Sequence, residues 1–453
     1  MSFLQRLFKG GGATKKEDFV PTIENEEDNP YTELTLLQHH TDIVRQVFVI
    51  DRRRCLSVAD DNSAVIWDLL LGIKVAVLTS HTRPITCILL IKSKVHSSPY
   101  TLVTGSSDKQ IKVWDYEQGL CLQTITEHNT SVKCLLLLQN ECFISGGEKL
   151  HLWSPDGILL DTYDRVKEEA DVKYMIIVRN EKIVATSNRE IFVFHVVARQ
   201  CYVVFHVVAR QCYGDTDDIK QELALFLTIP QRREAIKCLV NISETMFAIG
   251  CLDGCIYVLS SETYQTILQF TSPEKYKGDH SDYPYSIQDM ISADQRFLVA
   301  AVGSGFAIFD IKMKKIICKP HISHFSKILH LTFVCNQTLL ATSSEDGSIR
   351  LWGQIADRQH DTQVFHGVME RFFNKSFGAI DNDMKSNSLP EPVLIGECLA
   401  HSGAVNMAVD GGDDVMVSCG VDGLVICWKN AELQKIKRNQ IFQKEVLMGS
   451  GIV

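Results

Sequence analysis

One spacing constrains this chain more than any other feature: a serine or threonine, an aspartate four residues on, and a tryptophan six residues after that. Ser57, Asp61 and Trp67 have it; so do Thr104, Asp108 and Trp114, then Thr342, Asp346 and Trp352, and finally Ser418, Asp422 and Trp428. A histidine precedes each copy: His40, His81, His324 and His401 in turn. Between the landmarks lie short β-branched and leucine-rich runs. In the third copy these are Ile328–Val334 and Thr338–Thr342, an Asp346-Gly347 turn, and Ser348–Leu351. Such runs read as antiparallel strands joined by hairpins. Recurrence at about 40–45 residues, with four strands per unit, describes small sheets that bury their faces on one another.

Weaker copies fill the middle of the chain. His128, Ser145 and Trp153 form a unit whose last hairpin is short and lacks the aspartate. Ala185–Phe194 keeps the strand rhythm with Asn188 in the Asp slot; Ala248–Leu259 keeps Asp253 but ends on Leu259; Ala300–Asp310 has Gly303 and Phe309 in the two slots. The landmarks resemble the WD-repeat β-propeller family over residues 30–428. The resemblance implies an all-β fold: a single propeller of eight blades, or seven if one middle unit is an insertion. Tyr31–Leu37 has strand character but no Trp before it, and Trp428 has no fourth strand after it. The N-terminal strand is therefore expected to complete the last blade and close the ring, removing exposed edges. The four intact units would then be neighbours across the seam.

Composition fits one large domain. Hydrophobic residues make up 45% and charged residues 22% of the 453-residue chain, too apolar for disorder. A net charge of −9 disfavours a nucleic-acid reader. The 15 cysteines form no CxxC pair, so no zinc ribbon, redox motif or cofactor is expected. With no 18-residue apolar run and no secretory signal, the chain is expected to be cytoplasmic or on the cytosolic face of a membrane.

The His, Ser/Thr and Asp sets contain the residue types of a hydrolase triad. A triad, however, needs one exposed nucleophile. Here the set recurs, Ser and Thr exchange freely, and each copy ends on Trp. The structural reading is favoured: Asp bonds His, His meets the hydroxyl, and the hydroxyl takes Trp Nε1–H. The chain is expected not to be an enzyme.

Function should then lie in loops and termini. Residues 1–29 read as a leader, whose first twelve put Phe3, Leu4, Leu7 and Phe8 on one helical face. The string VFHVVARQCY occurs twice, at Val193–Tyr202 and Val204–Tyr213, and blurs the strand register there. The longest insertion, 353–392, falls between the third and fourth strands of the seventh blade. Its Met369, Phe372, Phe373 and Phe377 either anchor a partner or fold back onto the propeller. Residues 429–453 form a helix-compatible tail carrying Leu433, Ile436, Ile441 and Phe442. With Tyr31 and Leu34 of the first strand, these are the candidate partner-binding residues.

A narrower resemblance, to one branch of the WD-repeat family, rests on Asn29–Arg45, on the clipped Ile144–Trp153 hairpin, on Lys327–Leu331 and on the Arg371–Gly378 run RFFNKSFG. It implies a non-catalytic adaptor in a complex with two DENN-domain proteins. That complex regulates small GTPases in autophagy and lysosomal signalling, and the adaptor would tether it to a lysosomal membrane transporter. The alternative is a substrate receptor of a cullin-RING ubiquitin ligase, for which Phe309-Asp310-Ile311-Lys312 is the nearest match to the W-D-x-R/K mark.

Overall fold

The computed structural model describes residues 29–436 and 439, apart from 93–99, 165–170, 201–218, 230–231, 233, 272–284, 319–321, 355–366, 374–390 and 413–414. Its strands form eight four-stranded antiparallel sheets, one for each unit read from the sequence. Blade 1 spans 44–78, blade 2 85–125, blade 3 134–163, blade 4 174–229, blade 5 236–270, blade 6 287–318 and blade 7 328–398. Blade 8 takes three strands from 405–429 and its fourth, Glu33–Leu37, from the other end of the chain. That strand pairs antiparallel with Val425–Lys429, in a register that sets Glu33 opposite Lys429 and Leu37 opposite Val425. The closure expected from the sequence is thus the observed one, and the count is eight.

The hydrophobic core is divided in the same way. It falls into eight clusters, each shared by two neighbouring blades. Sandwiched strands are consequently buried on both faces. Ala64–Asp68 and Ile349–Gly353 are buried at every position, whereas the outer strand Ile73–Leu78 is largely exposed. Each buried aliphatic or aromatic side chain contributes roughly 1.5–3 kcal/mol, so stability is distributed around the ring. The Asp-Gly turns of blades 7 and 8 put Gly347 and Gly423 at φ of +85° and +77°, where a Cβ would be strained.

Blade 4 carries the longest hairpin, Glu190–Gln200 against Ile219–Ile229. Most of the first VFHVVARQCY copy lies in its third strand; the second copy lies outside the described residues. Among the described residues, no helix is long and apolar enough to cross a membrane.

Candidate protein-interaction site at the ring seam

The histidine sets form closed hydrogen-bond chains. In blade 1, Trp67 Nε1 donates to Ser57 Oγ (2.7 Å), which lies 2.8 Å from His40 Nε2, while His40 Nδ1 lies 2.9 Å from Asp61. Blade 2 repeats this through Trp114, Thr104, His81 and Asp108, each link at 2.8 Å. In blade 7, Trp352 to Thr342 is 3.0 Å, Thr342 to His324 2.7 Å, and His324 to Asp346 3.0 Å. In blade 8, Trp428 to Ser418 is 2.8 Å, Ser418 to His401 2.9 Å, and His401 to Asp422 3.0 Å. Because each hydroxyl accepts from Trp, its own proton goes to His Nε2, which leaves Nδ1–H for the carboxylate. The aspartate also accepts the amide after its histidine, as Asp61 does from Thr41 at 3.0 Å.

Electrostatics agree with neutral imidazoles. Burial pushes His40, His81, His324 and His401 below the usual value of 6.5, and the raising pull of the aspartates does not overcome it. Burial alone would raise the Asp61 carboxyl, but bonds from Ser63, His40 and the Thr41 amide hold it below its ordinary range. In blade 3 the aspartate is missing, and burial beside His151 lowers His128 to about 3. All four hydroxyls of the complete sets are inaccessible to solvent. Each polar atom of the set is already bonded, so the geometry serves as a fastener between the connection entering a blade and that blade's second and third strands.

The inserted segment also packs inward. Residues 368–373 form a short helix, α1 (Val368–Phe373), seated between blades 6 and 7. Met369, Phe372 and Phe373 are buried there against Phe297, Phe306 and Trp352. Asp294, in the first turn of blade 6, caps α1 by accepting the Val368 and Met369 amides, both at 2.7 Å. As exposed anchors these three residues are therefore corrected: they fold back onto the propeller, because Asp294 and two apolar blade faces supply the partners that the insertion alone lacks. Phe377 lies outside the described residues.

Tyr31 is corrected in the same way. It is buried between blades 7 and 8, its phenol pushed far up by burial, and the Cys335 thiol donates to its oxygen at 3.4 Å. Asn29 bonds the Glu397 carbonyl at 2.9 Å and crowds Gly396, where a Cβ would come within 2.7 Å of it. Together these contacts clamp the start of the described chain onto the outer strand of blade 7.

Apolar side chains remain exposed at the seam. Leu34 and Leu36 on the closing strand are 44% and 43% exposed, and Ile436 is 48% exposed. Residues 431–436 are helical, with Asn430 capping Leu433 and with the Ala431 amide 3.3 Å from the Thr32 hydroxyl. Both ends of the described chain therefore meet on blade 8. Leu433 is half-buried; Ile441 and Phe442 lie outside the described residues. Sequence reasoning missed the neighbouring hairpin of blade 1, whose Leu70, Leu71 and Ile73 are also exposed. Gly72 of that hairpin abuts Thr35, which leaves the closing strand on the face opposite Leu34 and Leu36, so the exposed residues of blade 1 form a separate apolar group. A signal was present in the run Leu69-Leu70-Leu71, at a turn where polar residues are usual.

The model of the WDR41 β-propeller family matches residues 9–438. The chain belongs to that family. Human WD repeat-containing protein 41 is 28% identical over 475 residues, covering 97% of each chain, and the mouse protein is 27% identical over 468 residues with the same coverage. The crystal structure of the computationally designed Ika8 protein superposes with a TM-score of 0.58 at 17% identity, covering 87% of this chain and 98% of that one, a likeness of fold alone. Within this WDR41-family propeller Asp310 of the Phe309–Lys312 segment has a structural use. Asp310 is buried and held by Arg296 at 2.6 Å, so its carboxylate faces into blade 6.

Proposed function

We propose that this WDR41-family chain is a non-catalytic adaptor that joins two DENN-domain proteins regulating small GTPases and holds them, through a membrane transporter, at the cytosolic face of lysosomes. The observation that carries the adaptor reading is the apolar surface at the seam, where Leu34, Leu36 and Ile436 are exposed on elements from opposite ends of the chain. Exposed apolar side chains on elements that meet on one blade suit a protein partner. The saturated hydrogen-bond chains supply no free nucleophile or base, in keeping with a binding role.

The test is co-purification of the Leu34→Ser, Leu36→Ser, Ile436→Ser variant with the DENN-domain proteins, alongside its melting curve. The reading expects an unchanged melting temperature and at least a tenfold loss of partner. Undiminished co-purification would move the interface elsewhere on the propeller. Lysosomal recruitment of the native chain, with and without the transporter, tests the tether; recruitment in its absence would contradict it.

A further inference from the structure

In blades 1, 2, 5, 7 and 8 the innermost strand carries the same irregularity near its start. Pairing to the second strand skips from Val44 to Gln46, from Ile85 to Cys87, from Ile236 to Cys238, from Ile328 to His330 and from Val405 to Met407. The residues skipped are Arg45, Thr86, Lys237, Leu329 and Asn406. Lys133 and Lys173 hold the same place in blades 3 and 4, their amides bonding Gly146 and Thr186 just ahead of the paired strand. A bulge re-aims the side chain it releases. Arg45 and Thr86, released by the bulges of blades 1 and 2, and Lys133 and Lys173, just ahead of the first strands of blades 3 and 4, line one cavity of about 840 Å³ at the mouth of the central channel.

The charges in this cavity do not cancel. Arg45 is held by Asp60, and Lys133 is 4.0 Å from Asp171, while Lys173 has no ion pair among the described residues. Thr86 donates its hydroxyl to the Val132 and Gly105 carbonyls. The other titratable groups lining it are uncharged at neutral pH: burial pushes the Cys87 thiol up to about 12, the Cys134 thiol well up, and the Tyr174 phenol to about 12. Phe48, Ile88, Leu135 and Met407 add apolar surface to the lining. With Arg45 paired to Asp60 and Lys133 loosely paired to Asp171, Lys173 leaves one uncompensated positive charge in a chain of net charge −9, a local exception to the protein's overall field.

We infer that this channel mouth binds a small amphiphilic anion, with a phosphate or carboxylate head at Lys133 and Lys173 and an apolar body against Phe48 and Leu135. The volume suits a single small molecule. An ammonium group is a point charge that accepts either head group, and the two heads are separated by experiment.

Calorimetric titration of the full chain with hexyl phosphate, hexanoate, inorganic phosphate and 1-hexanol tests this, alongside the Lys133→Gln, Lys173→Gln variant. Saturable one-site binding of hexyl phosphate or hexanoate is expected, with at least tenfold weaker binding in the variant and for the two single-feature probes. The stronger of the two amphiphiles identifies the head group. No binding of either amphiphile overturns the inference, as does equal affinity in a variant whose melting temperature is unchanged. Binding of hexanol as tight as hexyl phosphate would also overturn it, since the lysines would then contribute nothing.

Discussion

Blades 7, 8, 1 and 2, which carry the complete hydrogen-bond chain, and blades 4, 5 and 6, which lack it, reach the same four-stranded architecture by different routes. The registers show how. The hydroxyl position of the intact blades, Ser57 opposite Val65, corresponds to Ala185 opposite Phe192 in blade 4, Ile249 opposite Tyr257 in blade 5 and Ala300 opposite Ala307 in blade 6. The Trp position becomes Phe194, Leu259 and Phe309, all buried. Wherever the indole N–H is gone, the hydroxyl is gone with it. Blade 3, which keeps Trp153, also keeps Ser145 at 2.7 Å. A buried polar network is kept with its central donor–acceptor pair or replaced by apolar packing, because a half-satisfied one is worse than either.

The largest effect expected from this contrast is at the hydroxyl. Thr342→Ala strands both Trp352 Nε1–H and His324 Nε2 and should destabilise by about 3 kcal/mol, since each orphaned group costs about 1–3. Chemical denaturation measures this, and a loss no larger than that of an exposed substitution would break the comparison. Next, Asp108→Ala, Asp346→Ala and Asp422→Ala should each cost about 1–3 kcal/mol and resemble one another. A single outlier would mean that one set has a separate role. In the apolar blades the reverse change is the harmful one: Ala300→Ser places a hydroxyl where neither Trp nor His can meet it, costing about 1–2 kcal/mol.

The smallest effect is on pH. The folded-state imidazoles of His40, His81, His324 and His401 lie below the ordinary 6.5, so below that pH the unfolded chain binds more protons. Their contribution is complete above 6.5 and drains as pH falls. Lowered Asp61 and Asp108 add to the loss below 3.8. Hydrogen exchange at pH 7.5 and 5.5 should therefore show the connections before blades 1, 2, 7 and 8 loosening ahead of blade 5. Uniform loosening would sever the link between the histidines and those connections.

Much of this was legible in the sequence because its signals are local. Eight terminal aromatic or apolar residues, from Trp67 to Trp428, each closing a strand–turn–strand pattern, point to eight blades, and a strand with no Trp before it points to closure. The candidate site was harder to read, for a physical reason. Whether Met369, Phe372 and Phe373 face a partner or the propeller depends on Asp294, 75 positions away from Met369. Tyr31 reads as part of an outer strand, but its burial depends on blade 7, contributed from the far end of the chain. Lys133 and Lys173 look like ordinary surface lysines until adjacent blades bring them to one cavity.

Closure by the N-terminal strand is what makes the intact blades neighbours, and one cross-link tests it most directly. Thr35 lies opposite Cys427 in the closing pair, at a separation that antiparallel pairing makes suitable for a disulfide. In Thr35→Cys, mild oxidation of the folded protein should join peptides containing positions 35 and 427, as read by mass spectrometry without reduction. A cysteine at position 35 that stays free and alkylates readily in the folded protein would contradict the closed ring.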